Sequence, residues 1–400
     1  MYFSAGWLIN YIYINLLDRK DIVKLYKEEI SISDKIKKLE WIIDSKIDGE
    51  DTILFVDEVQ ESEEFISSLK YMCESEIKYN VIVAVSLLGV KINRFHSSFP
   101  VGKVFIEYMY PMDFPEFLMA VGKGEIINDI KYSYDNNQKM DEDIHLKLLE
   151  LYRIYLCVGG MPEAVLNIIN NDLDIMNFDK NILSLIIDMY IVDMNKCVYN
   201  NAEEVKIEKI YKNISYQLAK ENKKFQYSKI EDNSKNTKRK YITAIEWLES
   251  SNMIYICNNV KTIDIPLKVY QEENIFKVYM SNVCLLCSIS AVLFNDIMLD
   301  KSFRFKGAIV ENYVVQTFIS NKLSLNYWSS GNTAEVDFLI TNKDGIIPVE
   351  VKASDNTKSR SLNVYMEKYN PSYSIRVSSK NFGFENNIKS VPLYSVFCIK

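Results

Sequence analysis

The chain has only two histidines in 400 residues, His96 and His145. That excludes a histidine-rich zinc site and leaves a Ser-His-Asp triad little to draw on. No apolar run reaches transmembrane length, so no membrane partner is expected. The first residues, Met1-Tyr-Phe-Ser-Ala-Gly-Trp-Leu-Ile, carry neither a basic leader nor a small-residue cleavage site, which argues against a signal peptide. Excess positive charge is also missing. At a net charge of −7, no global field draws the chain to nucleic acid or anionic lipid, which leaves only local basic patches. The seven cysteines form no paired framework and read as reduced and cytoplasmic. Cys284-Leu-Leu-Cys287 has redox-motif spacing, but its apolar setting favours two core thiols. Repeats, low-complexity tracts and long linkers are absent. So is the phosphate-binding pattern G-x-x-x-x-G-K-[ST].

A hydrophobic fraction of 48% and a charged fraction of 25% describe an ordinary globular chain, long enough for two to four domains. Its most informative segment is Ile53-Leu-Phe-Val-Asp57-Glu58-Val-Gln60. Four apolar residues running into two carboxylates suit a buried parallel strand that ends at a magnesium–nucleotide site. Strands are expected at Tyr11–Asn15, Ile53–Val56, Val81–Val85 and Val104–Met109. Helical periodicity over Asp18–Ser45, Glu61–Glu74 and Asp113–Ala120 makes this an α/β parallel sheet. From about Ile126 to Tyr199 the pattern is helical, broken at Gly159-Gly160-Met-Pro162. Three helical segments, Val205–Lys220, Tyr227–Asp232 and Ser234–Ser250, precede a strand pair at Met253–Cys257 and Leu267–Tyr270. That is the plan of a winged helix-turn-helix. Lys235, Lys238, Arg239 and Lys240 cluster where a recognition helix would begin, making DNA a possible partner. The nearby Glu231, Asp232, Glu246 and Glu249 fit a solvated helix start equally well.

The last hundred residues carry a second carboxylate pattern. Glu335-Val-Asp337-Phe-Leu-Ile340 and Ile347-Pro-Val-Glu350-Val-Lys352 alternate as strands about an Asp-Gly turn. Pairing Thr341 with Ile346 sets Asp337 opposite Glu350 and Glu335 opposite Lys352, with Val336, Phe338, Ile340, Val349 and Val351 on the other face. Facing carboxylates repel unless a divalent cation or water separates them. Glu311, among Val314, Val315 and Phe318 at helical spacing, is a candidate third acid. The bland alternative is a solvated hairpin with a Glu335–Lys352 ion pair.

The chain resembles prokaryotic AAA-type ATPases that carry a C-terminal domain of unknown function. The resemblance runs through ILFVDEVQ, Tyr110-Pro-Met-Asp-Phe-Pro-Glu-Phe-Leu118, Val158-Gly-Gly-Met-Pro-Glu163, Gly307–Gln316 (GAIVENYVVQ), Ala334–Ile340 and Pro348-Val-Glu-Val-Lys-Ala353. It implies a truncated P-loop AAA-type parallel sheet over residues 1–125 and a helical lid over 126–204. A winged helix would follow over 205–270, then a C-terminal α/β domain similar to PD-(D/E)XK nucleases over 271–400. Asp57 and Glu58 match the Walker B pair, which would hold Mg and ATP. Ser86 stands at the sensor position, and Arg94 is placed to meet nucleotide phosphate or a neighbouring subunit. Glu311, Asp337, Glu350 and Lys352 match the nuclease-like motif. Asp337 and Glu350 would bind Mg or Mn, and Lys352 would orient water. Family members carry a P-loop strand and helix before the strand matching Tyr11–Asn15, and this sequence has only Met1–Asn10 there. Without that cradle, most nucleotide affinity is expected to be lost. Three expectations follow: an AAA-type protein impaired in ATP binding and hydrolysis, a metal-dependent nuclease acting on DNA, or a silent interaction module with possible self-association.

Overall fold

The computed structural model describes residues 10–49, 51–85, 99–196, 201–231, 237–331, 334–353 and 360–400. The chain divides into two compact units, Met1–Tyr108 and Met109–Lys400.

The first unit is built on three parallel strands: β1 (Asn10–Asn15), β2 (Thr52–Asp57) and β3 (Asn80–Val83), in that spatial order. Ile12, Ile14, Leu54 and Val56 bury alternate positions, as a pleat requires. The periodic segment from Asp18 to Ser45 forms two helices, Lys20–Tyr26 and Ile32–Ile43. The second starts where Ser31 accepts the Asp34 N–H at 3.1 Å. Ser62 caps helix Glu63–Glu74 in the same way, through the Phe65 N–H at 3.2 Å. The strand expected at Val104–Met109 is not formed. Among the described residues the segment forms no strand, and Phe105 and Met109 are fully exposed, although Val104 packs against the first unit's core.

In the second unit, helices at Phe114–Ala120, Ile126–Asn136, Glu142–Val158, Pro162–Asn170 and Asn181–Lys196 precede the mixed elements. Helix Phe114–Ala120 falls in this unit, past the division at Tyr108. The Met112 N–H donates to Gly160 O at 2.8 Å, and Tyr155 donates its hydroxyl to Met112 O at 2.6 Å. The Gly159-Gly160 break follows from this close approach. A Cβ on Gly160 would lie 2.0 Å from Met112 O, and one on Gly159, whose φ is +72°, 2.3 Å from Cys284 Sγ.

Eight strands then form one mixed sheet among the described residues: β4 (Ile254–Val260), β5 (Gln271–Met280), β6 (Asn326–Ser329), β7 (Glu335–Asn342), β8 (Gly345–Val351), β9 (Ser374–Ser378), β10 (Gly383–Glu385) and β11 (Ile388–Pro392). The spatial order is β10-β11-β9-β8-β7-β6-β4-β5. Leu267–Tyr270, expected as a strand, is a 3-10 turn, and the partner of β4 begins at Gln271. That hairpin continues into the C-terminal strands because β4 pairs in parallel with β6. The described strands between Ile254 and Pro392 thus share one sheet that continues across residue 270.

Helix Lys306–Ser320 is buried on nearly every side. Two of its buried amides bind the neighbouring backbone and Tyr155. Asn312 brackets Met280, accepting its N–H at 2.8 Å and donating to its carbonyl at 3.0 Å. Gln316 Oε1 accepts the Val283 N–H at 3.0 Å, and its Nε2 donates to the Tyr155 hydroxyl at 2.7 Å. The thiols of Cys157, Cys284 and Cys287 are buried, and burial pushes them above the usual thiol range. His145 is also a core residue, bonded through Nδ1 to the Tyr394 hydroxyl and through Nε2 to Ser379 O, each at 2.9 Å. No described helix is long and apolar enough to cross a membrane.

Candidate functional site

Two carboxylate sites stand in separate units. In the first, β2 delivers Asp57 to the C-terminal end of the middle strand, half-buried, opposite Asn15 of β1. Both of its oxygens are engaged by the protein. Tyr13 donates its hydroxyl to Oδ2 at 2.7 Å, and the Glu58 N–H donates to Oδ1 at 2.9 Å. That hydrogen bond pushes the Tyr13 phenol above its ordinary value. Glu58 sits in the left-handed region at φ +53° and accepts from Gln60. Ser86 and Arg94 lie outside the described residues. Tyr13 was not anticipated. Its signal was the alternation of β1, which turns Tyr11, Tyr13 and Asn15 to one side of the strand.

The second site is assembled across the eight-stranded sheet. The hairpin pairs Thr341 with Ile346 and Phe338 with Val349, which leaves Asp337 and Glu350 one step beyond the last paired residues. One departure comes from β6. Asn326 pairs with Leu339 but Trp328 with Val336, so a bulge sets two residues of β7, Asp337 and Phe338, against Tyr327. The bulge breaks the alternation. Phe338, Ile340, Val349 and Val351 enter the large core, whereas Val336 joins Trp328, Leu339 and Tyr365 in a smaller one.

The carboxylates are compensated internally. Glu311, 5% exposed, pairs with Lys223 and accepts the Tyr279 hydroxyl at 3.1 Å. Glu335 pairs at 2.6 Å with Lys277, a lysine of β5 with no exposed surface. The Lys277 ammonium also stands 4.7 Å from the centre of the Tyr327 ring. Glu350, 4% exposed, pairs with Lys352 through Oε1, while Oε2 meets no hydrogen-bond donor among the described residues. Asp337 Oδ2 accepts the Val351 N–H at 2.8 Å. The Glu335–Lys352 ion pair weighed from sequence is therefore replaced by two others, Glu335–Lys277 and Glu350–Lys352.

The electrostatics follow from burial. Desolvation, then the charges of Glu311 and Glu350, push the Asp337 carboxyl far above the carboxylate range. Burial pushes Glu311 upward too, but Lys223 and Lys277 outweigh it and hold that carboxyl below its ordinary value. Burial likewise disfavours the Lys277 ammonium, and Glu311, Glu335 and Asp337 reverse the effect. Sequence reasoning brought Glu311, Asp337, Glu350 and Lys352 to one locality. It missed Lys223, Lys277 and Tyr279, which no local motif marks.

A divalent cation does not fit the cluster as arranged. Among the described residues no three Asp, Glu, His or Cys side chains form a metal-ligating group, and three of the four carboxylates already hold an ammonium. Two lysines of the basic patch before Ser250 are likewise partnered, while Arg239 is exposed. Lys240 and Lys209 both reach Glu231, at 2.8 and 3.0 Å, and Lys238 donates to Asn274. Lys235 lies outside the described residues.

Three family models match the chain. Residues 6–118 match one described as an AAA domain, and residues 149–296 and 306–396 match two domains of unknown function (DUF8612 and DUF4143). The chain thus pairs an AAA-type N-terminal segment with two domains of unknown function. No curated protein and no solved structure gives a significant match. The second carboxylate site draws on both of the latter segments. Lys223, Lys277 and Tyr279 come from 149–296, and Glu311, Glu335, Asp337, Glu350 and Lys352 from 306–396.

Proposed function

We propose that this chain is a member of the AAA-type ATPase family whose 400 residues bind and turn over ATP poorly, joined to a nuclease-like C-terminal α/β domain. The observation that carries this reading is the placement of Asp57 and Glu58. They end the middle strand of a parallel sheet, where a magnesium–nucleotide site belongs, yet both Asp57 oxygens are bonded to Tyr13 and the Glu58 amide. The phosphate cradle is the missing half. Triphosphate affinity comes mainly from backbone amides at a glycine-rich loop and a lysine at a helix N-terminus, and no G-x-x-x-x-G-K-[ST] stretch supplies them. A carboxylate at a strand end gives a cation weak purchase without them.

Isothermal titration of the 400-residue protein with Mg–ATP tests the reading. The expected outcome is no saturable heat below about 1 mM nucleotide. A dissociation constant in the low micromolar range, lost in Asp57→Ala, would overturn it.

A second reading is a nuclease acting on DNA through the C-terminal unit. The gathering of Glu311, Asp337, Glu350 and Lys352 around one hairpin favours it. No step through a metal is drawn, because the ammonium groups stand against the carboxylates that would bind one.

A further inference from the structure

We infer that Lys223 and Lys277 take the place of a divalent cation in the C-terminal carboxylate cluster, locking it in a metal-free state by ammonium groups that the preceding domain supplies. The inference rests on reading the C-terminal unit as nuclease-like, and it adds how that site is controlled.

Buried carboxylates must be protonated, paired or bound to metal, because an isolated buried charge is far too costly. Here Glu311, Glu335 and Glu350 are paired with ammonium groups, and Asp337 is not. Lys277 is placed by β5, opposite Cys257 in the β4–β5 register, and reaches across the sheet to Glu335 on β7. Lys223 comes from a turn after helix Asn201–Leu218, where it holds the left-handed region at φ +49°, and meets Glu311 on the central helix. The next turn residue but one fixes that approach, since the Phe225 N–H donates to Phe276 O at 2.8 Å, one residue before Lys277.

The two lysines therefore share one anchoring. Both precede residue 296, in the segment that matches one domain of unknown function, whereas every carboxylate of the cluster lies beyond residue 306, in the other. The dependence runs one way: the C-terminal carboxylates borrow their neutralising charge from the segment before them. Lys352, the lysine of the hairpin itself, compensates only Glu350. A cation entering among Glu311, Asp337 and Glu350 would first have to expel the Lys223 ammonium, whose side chain is about one-fifth exposed, while Lys277 has no route to solvent.

Thermal unfolding of the full chain with and without millimolar MnCl2 tests this. The wild type is expected to show no Mn²⁺-dependent change. Lys223→Met is expected to gain a rise of roughly 2–4 °C that Asp337→Asn removes. Lys223→Gln keeps a polar head on a similar stem and serves the same test if the methionine variant does not fold. A Mn²⁺-dependent rise in the wild type that disappears in Asp337→Asn overturns the inference. So does the absence of any Mn²⁺ response in the Lys223 variants, since the lysine would then not be what excludes the ion. Plasmid nicking separates this from the nuclease reading. Mn²⁺ binding by Lys223→Met without nicking removes that reading and leaves the lysine lock standing. Mn²⁺-dependent nicking by the wild type that is lost in Asp337→Asn overturns the lock and supports the nuclease.

Discussion

Asp57 and Glu58 stand half-exposed at the end of a strand, where a tyrosine hydroxyl, a backbone amide and Gln60 satisfy them. Glu311 and Glu350 are almost wholly buried, and the carboxylates around them hold lysines drawn from two segments of the chain. On the function proposed above, both groups stand where a metal would be met. The difference teaches when a missing ligand leaves a structural trace. A carboxylate beside water needs no counter-ion, so its neighbourhood looks the same whether or not a ligand belongs there. A carboxylate in the interior cannot wait for a ligand. It must be neutralised by something the fold supplies, and the supplier is then visible as a buried lysine.

The largest expected effect breaks this compensation directly. Removing one member of a buried ion pair leaves an uncompensated charge, so Lys277→Met should destabilise the second unit by about 3–5 kcal/mol, measured by urea denaturation. The double variant Lys277→Met/Glu335→Gln, which removes both charges, should recover at least half of that loss. If the single variant cost no more than an ordinary surface change, the lysine would not be the neutralising group.

A second, smaller effect separates Asp337 from the other carboxylates by pH. Its carboxyl titrates well above the unfolded value of about 3.9, so the folded state holds a proton that the unfolded state releases. The stability this contributes is complete below about pH 4 and is lost as pH rises through the folded value, by at most about 1.4 kcal/mol per pH unit. Glu311, held below its ordinary value, acts with the opposite sign: its contribution is present above that value and is lost as pH falls through the depressed one. Denaturation between pH 5 and pH 9 should show a decline in the wild type that flattens in Asp337→Asn. A decline of equal slope in both proteins would mean that Asp337 is ionised throughout.

Much of this was legible in sequence because it was local. The apolar run into Asp57-Glu58 and the Asp-Gly turn each concern residues within about ten positions, and both emerged with the expected strands and register. Non-local features were not. The bulge that moves Val336 to a different core depends on how β6 meets β7, and neither strand betrays it alone. Lys277 lies outside every element expected from sequence, since the expected strand pair ends at Tyr270. Its burial follows from β4 and β5 joining a sheet whose remaining strands begin only at Asn326. Val104–Met109 failed in the reverse sense, with alternation present but no partner strand among the described residues.

The smallest expected effect sharpens the comparison by separating pairing from burial. Glu231 is paired as richly as any carboxylate in the cluster. Lys240, Tyr241 and Lys209 all reach it, and those bonds, in that order, hold its pKa down to about 2. Yet it is only partly buried and both of its lysine partners are exposed, so the ion pairs gain little because water already stabilises the charges. Glu231→Gln should therefore shift the melting temperature by no more than about 1–2 °C at neutral pH. The small stabilisation it does remove is present above the ordinary glutamate value and lost as pH falls towards 2. The substitution also frees Lys209 and Lys240, so the affinity for a short DNA duplex should rise at low salt, with a steeper salt dependence by about one phosphate contact. A destabilisation as large as that of Lys277→Met would show that the number of lysine partners governs these sites, and the contrast drawn from burial would fail.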